Sequence, residues 1–299
     1  MRIHLVAVPY RYDERGSGLG QGPSALIAAG ISAAMQKHDH LVTGPVIVEL
    51  PDDERVEGPI SANIGRLGAR TAEAAAAARS DSAGALVLAG DDTAAIGVIA
   101  GLQQAHGAAT RIGLVWVDAH ADFNTPETSY SGILAGMPVA ILAGLAGPIW
   151  RGAAGLQATI PTDRICILGP REVDEKEAAL LRSTDVRLIP DTELGDARHV
   201  RRTIEGLAEH VDLIALHIDL DVLDPSLVPS SSTPSPEGLT LTEASDLLAT
   251  VLDTGKVAAL TVAGLNPGAG QRGTRSVDSA LKLIDRAIGH WQANGEATA

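Results

Sequence analysis

Several of the eight short apolar runs in this sequence are apolar at nearly every position, and longer stretches with helical character separate them. Such runs are typical of strands covered on both faces, as in a parallel sheet packed between helices. Their alternation with helices predicts an α/β architecture with a mostly parallel sheet. The predicted strands are Ile3–Val8, Val46–Leu50, Ala85–Ala89, Ile112–Val117, Arg164–Leu168, Val186–Ile189, Leu213–Ile218 and Ala258–Val262.

The longer stretches between these runs are predicted to be helices. No Pro/Ser-rich linker, repeat or block of charge marks a boundary, so we expect one domain over residues 1–299. The alanine run at 75–78 is predicted to lie in a helix packed closely against the sheet. The predicted helices are Pro23–Gln36, Ile60–Arg79, Thr93–Ala105, Gly136–Leu145, Asp174–Ser183, Asp191–Glu209, Leu241–Leu252 and Arg275–Asn294.

Composition excludes several classes of function. A net charge of −14 repels phosphate, and three Trp, three Tyr and one Phe are too few for a single-strand stacking platform, so we expect no nucleic-acid or membrane partner. No apolar stretch approaches the ~18 residues that span a bilayer, and the short apolar run at the N-terminus is typical of a strand rather than a signal peptide. Cys166 is the only cysteine, which excludes an internal disulfide and a cysteine-based zinc site. We expect a buried, inert thiol and a cytoplasmic protein.

The first candidate site directly follows the strand Ile112–Val117. Asp118, His120 and Asp122 alternate with alanines, and an extended backbone would place them on one face at steps of about 6.6 Å. One imidazole between two carboxylates suits a hard or borderline divalent cation. Each Asp could instead be a helix cap or a turn residue, which is common at strand ends.

Two further acidic groups follow other strands. Asp219 and Asp221 close the strand Leu213–Ile218, and Asp91 and Asp92 follow the strand that ends at Ala89. Either residue of the second pair could cap the helix that starts near Thr93. Unpaired carboxylates gathered at one site would repel by about 4 kcal/mol per close pair at an effective dielectric near 20, and cations would compensate.

Five carboxylates and one imidazole exceed what one metal ion needs. Two cations about 3.5–4 Å apart could share them and activate a bridging water, which favours hydrolysis as the reaction class. The candidate ligands are Asp118, His120, Asp122, Asp219 and Asp221, with Asp91 or Asp92 as the fifth carboxylate.

At this point the sequence resembles the ureohydrolase family, which includes arginase, agmatinase and formiminoglutamase. The segment that begins at Asp118 (DAHADFNTP) is similar to the family's DAHxDxNTP motif, and the segment that begins at Asp219 (DLDVLDP, then STP from Ser232) to its DxDxxDP…GTP motif. Both motifs are highly specific. The segment Gly20–Leu26 (GQGPSAL) is similar to the family's GPxAL signature, and Asn266-Pro267 resembles its late ENP-type element, so the likeness runs almost from end to end.

The resemblance implies a fold, a cofactor and roles for particular residues. The fold would be a three-layer α/β/α domain around a mostly parallel sheet of about eight strands, in a trimer or hexamer that binds two manganese ions. Asp122 would both ligate metal and orient the water, and Thr233 would help to position the reacting group. Asn124, Ser131, Asp174 and Glu177 match positions that arginase uses around the amino-acid end of its substrate.

The sequence also departs from the family pattern. Asp92 stands where a histidine ligand is expected, Ala135 replaces a histidine implicated in proton transfer, and Ile133 replaces a substrate-contacting Asn. Gly264 stands where an acidic residue faces the guanidinium, so the pocket loses a reason to prefer that cation. With Asp92 as a ligand, five carboxylates outweigh the charge of two divalent cations, which predicts a less acidic bridging water and an alkaline pH–rate profile.

The sequence thus predicts a binuclear, manganese-dependent hydrolase that attacks a C–N bond of a small guanidino or amidino compound. Two alternatives remain open. One is a non-catalytic relative that binds ligand or metal without turnover, which the residues at 135 and 264 favour. The other is a deacetylase-like hydrolase with one zinc, although the donor set suits harder cations.

Overall fold

The computed structural model describes residues 1–81, 83–268 and 270–292, and within these ranges a central eight-stranded sheet organises the molecule. The strands are β1 Arg2–Val8, β2 Tyr10–Arg11, β3 Glu14–Arg15, β4 Leu41–Ile47, β5 Gly84–Ala89, β6 Ile112–Val117, β7 Ile165–Leu168, β8 Arg187–Ile189, β9 Leu213–Asp219 and β10 Val257–Ala263. β2 and β3 form a separate antiparallel hairpin. The other eight pair in parallel in the order β4-β1-β5-β10-β9-β6-β7-β8, which confirms the predicted parallel sheet.

Helices cover both faces of this sheet. They are α1 Gly22–Ala28, α2 Ile31–Gln36, α3 Ile60–Ser80, α4 Ala94–His106, α5 Pro138–Leu142, α6 Pro148–Ala153, α7 Glu175–Leu181, α8 Ala197–His210, α9 Leu241–Leu252 and α10 Gln271–Ile288. One buried apolar cluster joins the sheet to α1, α2, α8, α9 and α10, and a second joins it to α3, α4, α5, α6 and α7. The doubly apolar strands therefore lie in the middle of three layers, as the sequence predicts.

The alanine-rich helix α3 packs most closely against its neighbour α4. A Cβ atom at Gly97 would lie 2.4 Å from the backbone oxygen of Gly68, so this approach requires a residue without a side chain. Ala75 and Ala78 are fully buried in the same layer.

Several element boundaries differ from the predictions. The strand predicted at Val46–Leu50 is β4, which starts earlier because it pairs with β1 from Leu41 onward, and Pro45 is tolerated because β4 is an edge strand. The helix predicted over Pro23–Gln36 divides into α1 and α2 at Gly30, whose φ is +91°. The sequence did not indicate helix α6.

Two predicted helices start or end elsewhere in the structure. Helix α8 starts at Ala197 rather than Asp191, because the Asp196 carboxylate accepts from the backbone N–H groups of its first turn. Helix α10 starts before Arg275 and ends at Ile288, and the predicted end at Asn294 lies outside the described residues. None of the helices in residues 1–81, 83–268 and 270–292 combines the length and apolar character that a membrane span requires.

Candidate metal centre

Four neighbouring strands at the middle of the sheet, β5, β10, β9 and β6, end at one edge. In parallel sheets, ligands bind beyond the carboxyl ends of the strands. The predicted metal ligands follow three of these strands, while β10 is followed by Gly264. The sheet order thus gathers acidic residues that are far apart in sequence.

The chain bends sharply after β6. Asp118 is held from two sides, because the indole N–H of Trp116 donates to its Oδ2 at 3.0 Å and the His120 backbone N–H donates to its Oδ1 at 2.8 Å. Asp122 has a φ of +49°, in the left-handed region that non-glycine residues rarely adopt. The extended backbone expected from Asp118 to Asp122 is therefore wrong at its last residue. A strained backbone conformation of this kind is often found at functional sites.

The β9 end is a tight turn fixed by its own carboxylates. The Asp221 backbone N–H donates to Asp219 Oδ1 at 2.7 Å, and the Thr233 hydroxyl donates to Asp221 Oδ2 at 2.7 Å. His120 Nδ1 lies 3.3 Å from both Asp221 Oδ2 and Asp118 Oδ1, so this imidazole joins the two loops.

The two acidic residues after β5 have different roles. Asp91 is the turn residue, because its carboxylate accepts from the backbone N–H groups of Thr93 at 3.0 Å and Tyr12 at 2.6 Å. Asp92 is turned toward the other carboxylates instead. Asp91 therefore has the turn role and Asp92 is the candidate ligand, two roles that the strand pattern alone did not assign to one residue or the other.

Five side chains approach one another closely enough to form two ligand groups around a shared member. In each group the possible ligand atoms all lie within 4.8 Å of one another: Asp92, Asp118 and Asp122 in one, and Asp118, His120 and Asp221 in the other. Asp219, whose carboxylate contacts the Asp221 backbone, adjoins the second group without being a member of either among the described residues.

Burial of this many acids in one place changes their protonation. Burial first, and then the negative charge of Asp221, raise the pKa values of Asp92 and Asp118 to about 7. Burial also raises the pKa values of Asp122 and Asp219 well above the ordinary carboxyl range, and neighbouring carboxylates add to the effect.

His120 supplies the positive charge that this cluster otherwise lacks. Burial alone would lower the pKa of His120, but its contacts with Asp118 and Asp221 outweigh burial and raise it to about 12. Burial would likewise raise the pKa of Asp221, but the His120 contact holds it below the usual range. The protonated imidazole therefore supplies the positive charge that a bound cation would otherwise supply to the two carboxylates. His120 must lose this proton to become a metal ligand.

One buried oxygen tests whether a metal ion suits the site. Asp122 Oδ2 is buried and has no hydrogen-bond partner among the described residues. An orphaned carboxylate oxygen is costly, and a cation satisfies it. A donor set of carboxylate oxygens with one imidazole fits manganese or another hard to borderline divalent ion.

Gly264 lies at the end of β10 with its backbone against the cluster. Its φ is +82°, and a Cβ atom built on it would lie 2.2 Å from Asp219 Oδ1 and 2.6 Å from Asp219 Oδ2. The Asp219 carboxylate therefore fills the space that a side chain at position 264 would need. The Asp219 carboxylate can take this position because residue 264 has no side chain.

The acidic cluster forms the floor of a cavity of about 610 Å³. The four predicted substrate-binding residues, Asn124, Ser131, Asp174 and Glu177, all line it. Glu177 is buried and accepts from the backbone N–H groups of Phe123 at 2.8 Å and Asp174 at 3.3 Å, so it also holds the loops together. Ala135 and Ile133 also line this cavity. They stand where the family pattern has a histidine and an asparagine, so the cavity lacks that imidazole and that amide.

Arg171 is a lining residue that sequence reasoning missed. Its guanidinium donates to the backbone oxygens of Val222 at 3.2 Å, Asp221 at 2.8 Å and Ser235 at 3.0 Å, and so ties the loop after β7 to the loop after β9. Its position directly before the acidic segment at 172–177 was the available signal, but a lone arginine beyond a strand end is more often a solvated surface residue.

Known proteins share both the sequence pattern and the fold. The sequence profile of the Arginase family matches residues 1–289. Arginase-1 of Homo sapiens is 30% identical over 303 residues, covering 96% of this chain and 92% of that protein. The arginase of Bacillus caldovelox is 31% identical over 255 residues, covering 81% of this chain and 83% of that protein.

Solved structures give the same result for the fold. The native structure of the Bacillus caldovelox arginase superposes with a TM-score of 0.85 at 27% identity and covers 100% of this chain and 99% of that one. The formimidoylglutamase of Bacillus subtilis shares the fold at 16% identity, with a TM-score of 0.72 over 97% of this chain and 86% of that one. The predicted three-layer α/β/α architecture is confirmed. Together with the five converging candidate ligands, these matches show that the chain belongs to the arginase family of hydrolases.

Proposed function

We propose that this protein is a binuclear metal hydrolase that uses two divalent cations, manganese by preference, to cleave a C–N bond in a linear guanidine or amidine. The observation that carries the proposal is the pair of largely buried ligand groups that share Asp118. A carboxylate common to two groups is what a two-metal site needs, because one residue must serve both cations.

The ligands divide between two positions. Asp92, Asp118 and Asp122 would hold one cation, and Asp118, His120 and Asp221 the other, with Asp219 as a further ligand beside Asp221. When bound, such cations supply an activated water for attack on an electrophilic carbon.

The remaining steps belong to side chains of the chain itself. Asp122, with its unpaired buried oxygen, would orient the attacking water as well as ligate. The Thr233 hydroxyl faces the cavity and donates to Asp221 Oδ2, so it fixes this ligand while positioning the reacting group. Asn124, Ser131, Asp174 and Glu177, which line the same cavity, would hold the distal part of the substrate.

Charge supports a cationic substrate even without an acid at Gly264. Glu172 and Asp174 line the cavity beyond the metal ligands, together with Glu177, whose pKa burial raises to about 7. Arg171, the basic side chain in the lining, is already engaged with backbone oxygens. The field in the cavity is therefore negative, which attracts a guanidinium or amidinium group.

The decisive experiment combines metal analysis with a substrate panel. Purified protein loaded with Mn²⁺ should hold two ions per chain and release urea or the corresponding amide from one of arginine, agmatine, guanidinobutyrate or formiminoglutamate. Asp118→Asn should abolish both ion binding and turnover, whereas Asp212→Asn, on an exposed surface ion pair with Arg111, should change neither.

Two other outcomes define the competing functions. Two manganese ions with no turnover on any of these compounds would identify a non-catalytic binder, which Ala135 and Gly264 favour. One zinc ion per chain would identify a deacetylase-like site.

The family also suggests an assembly and a location. We further propose a homo-oligomer, a trimer or a hexamer, in the cytoplasm. Light scattering on the purified protein and fractionation of the source cells test these two points.

A further inference from the structure

A buried histidine and the tryptophan stacked against it contact two of the proposed metal ligands. His217 lies on β9 directly opposite Trp116 on β6, and the two rings stack with centroids 3.6 Å apart and planes 3° from parallel. His217 Nε2 lies 2.9 Å from Asp92 Oδ1, and the Trp116 indole N–H donates to Asp118 Oδ2 at 3.0 Å. The stacked pair therefore contacts one oxygen of each of two neighbouring carboxylates.

The position of the imidazole proton follows from burial and from the contacts of the ring. An imidazole carries an N–H on at least one of its two ring nitrogens in either protonation state. With Asp92 ionised, as a metal ligand must be, a bare ring nitrogen at 2.9 Å from its carboxylate oxygen would place two acceptors in contact, so the proton belongs on Nε2. Nδ1 is buried without a partner among the described residues, and an unpartnered donor there would be costly.

We propose that His217 is a positioning residue for Asp92: its Nε2–H binds Oδ1 of that carboxylate, leaving the other oxygen for the cation, and the Trp116 stack fixes the plane of the imidazole. The inference rests on the proposed metal site. It explains how a carboxylate can serve at the position where the family has a histidine. An N–H donor on Asp92 also withdraws part of the extra negative charge that this substitution introduces.

The test measures Mn²⁺ affinity by calorimetry in three proteins matched at one position. In His217→Gln the side-chain amide reaches about as far as Nε2 and can still donate to Asp92. In His217→Asn the amide reaches only about as far as Nδ1, so polarity is kept while the contact is lost. We expect His217→Asn to weaken one of the two manganese sites by about 10- to 100-fold, as losses of ligand-orienting partners do, and His217→Gln to restore most of that affinity.

A double-mutant cycle separates positioning from packing. In an Asp92→Asn background, His217→Asn should cause little further loss, because the carboxylate it orients is gone. Equal losses in the Gln and Asn variants, or a full additive loss in the double mutant, would mean that His217 acts through packing alone and would overturn the inference. Unchanged affinity in His217→Asn would overturn it while leaving the metal site intact, whereas wild-type protein that binds no manganese would overturn both.

A second measurement observes the His217 ring in the wild-type protein. ¹⁵N-histidine spectra of metal-free protein at alkaline pH, where Asp92 is ionised, should show a ring protonated on Nε2, with the His217 signal identified by its loss in His217→Gln. A ring protonated on Nδ1 would refute the hydrogen bond to Asp92 even if His217→Asn proves too unstable to titrate.

Discussion

Replacement of Gly264 by alanine should loosen metal binding by a mechanism that the structure allows us to isolate. The added Cβ would lie 2.2 Å from Asp219 Oδ1 and 2.6 Å from both Asp219 Oδ2 and Cγ, so the Asp219 carboxylate must move. The backbone at Gly264 also has a φ of +82°, which costs a non-glycine residue about 1–3 kcal/mol. Two effects are therefore expected, one on folding and one on the ligand set.

The size of the second effect follows from Coulomb's law. A carboxylate 4 Å from a charge of opposite sign gains about 4 kcal/mol at an effective dielectric of 20. If displacement of Asp219 forfeits one third of that energy, about 1.4 kcal/mol, manganese affinity falls about tenfold. We therefore expect at least a tenfold rise in the Mn²⁺ dissociation constant of Gly264→Ala.

Gly255 provides the matched control. It lies near the opposite end of β10 with a φ of +65°, and a Cβ atom there would meet nothing within 4 Å. Gly255→Ala should lower thermal stability by about 2–4 °C per kcal/mol of backbone strain but bind manganese as the wild type does.

Calorimetric titration of both variants with Mn²⁺, beside thermal unfolding in EDTA, decides the matter. Displacement of Asp219 is refuted as the cause if Gly264→Ala loses stability but keeps wild-type affinity for both ions. It is refuted equally if Gly255→Ala loses the same affinity, because backbone strain would then be the common cause.

Three further outcomes are expected. The pKa values of Asp92 and Asp118 are raised to about 7 in the folded metal-free protein, so their contribution to stability is present below about pH 4 and is lost as pH rises through 7. The increase in unfolding free energy that Mn²⁺ causes, measured by urea unfolding, should therefore grow from pH 5 to pH 8. An equal increase at both pH values would contradict this reasoning. Asp92→His removes one negative charge from the ligand set and should move the pH–rate profile toward lower pH, whereas an unshifted profile at full metal occupancy would indicate that Asp92 is not a ligand. Burial raises the pKa of Cys166 to about 12, so a thiol reagent at pH 8 should leave the native protein unmodified and label one thiol per chain after denaturation; labelling of the native protein would show that the strand opens.

Much of the architecture could be predicted because burial on two faces leaves a direct mark on a strand. β5 and β6 are continuous apolar runs in the sequence, β9 is apolar as far as His217, and each is fully buried in the structure. The acidic residues at their ends stood out because carboxylates rarely follow buried strands without a partner. The edge strand β4 carried a weaker signal, since its side chains are mostly exposed and Pro45 interrupts it.

Other parts of the site depend on the order of strands, which local sequence does not reveal. The choice between Asp91 and Asp92 as turn residue is made by the backbone N–H of Tyr12, 79 residues away along the chain. The contact between His217 and Asp92 spans 125 residues, and it exists because both β5 and β9 flank β10. A histidine two positions before an aspartate is as readily a packing residue as a partner, so the sequence left both interpretations open.

Strand β10, which lies between β5 and β9, explains why the departures from the family pattern at positions 92 and 264 can coexist. β10 separates β5 from β9, and it ends in Gly264, whose missing side chain leaves room for the Asp219 carboxylate. An acidic side chain at that position would compete with Asp219 for the same space and add charge to a cluster that already holds five carboxylates. The aspartate at 92 and the glycine at 264 are therefore compatible for a physical reason. Asp92 adds a negative charge to the ligand set, and no acidic side chain at the end of β10 adds another. Restoring the family residue at 264 alone should consequently impair metal binding, and its restoration should be tolerated better when Asp92 is also replaced by histidine.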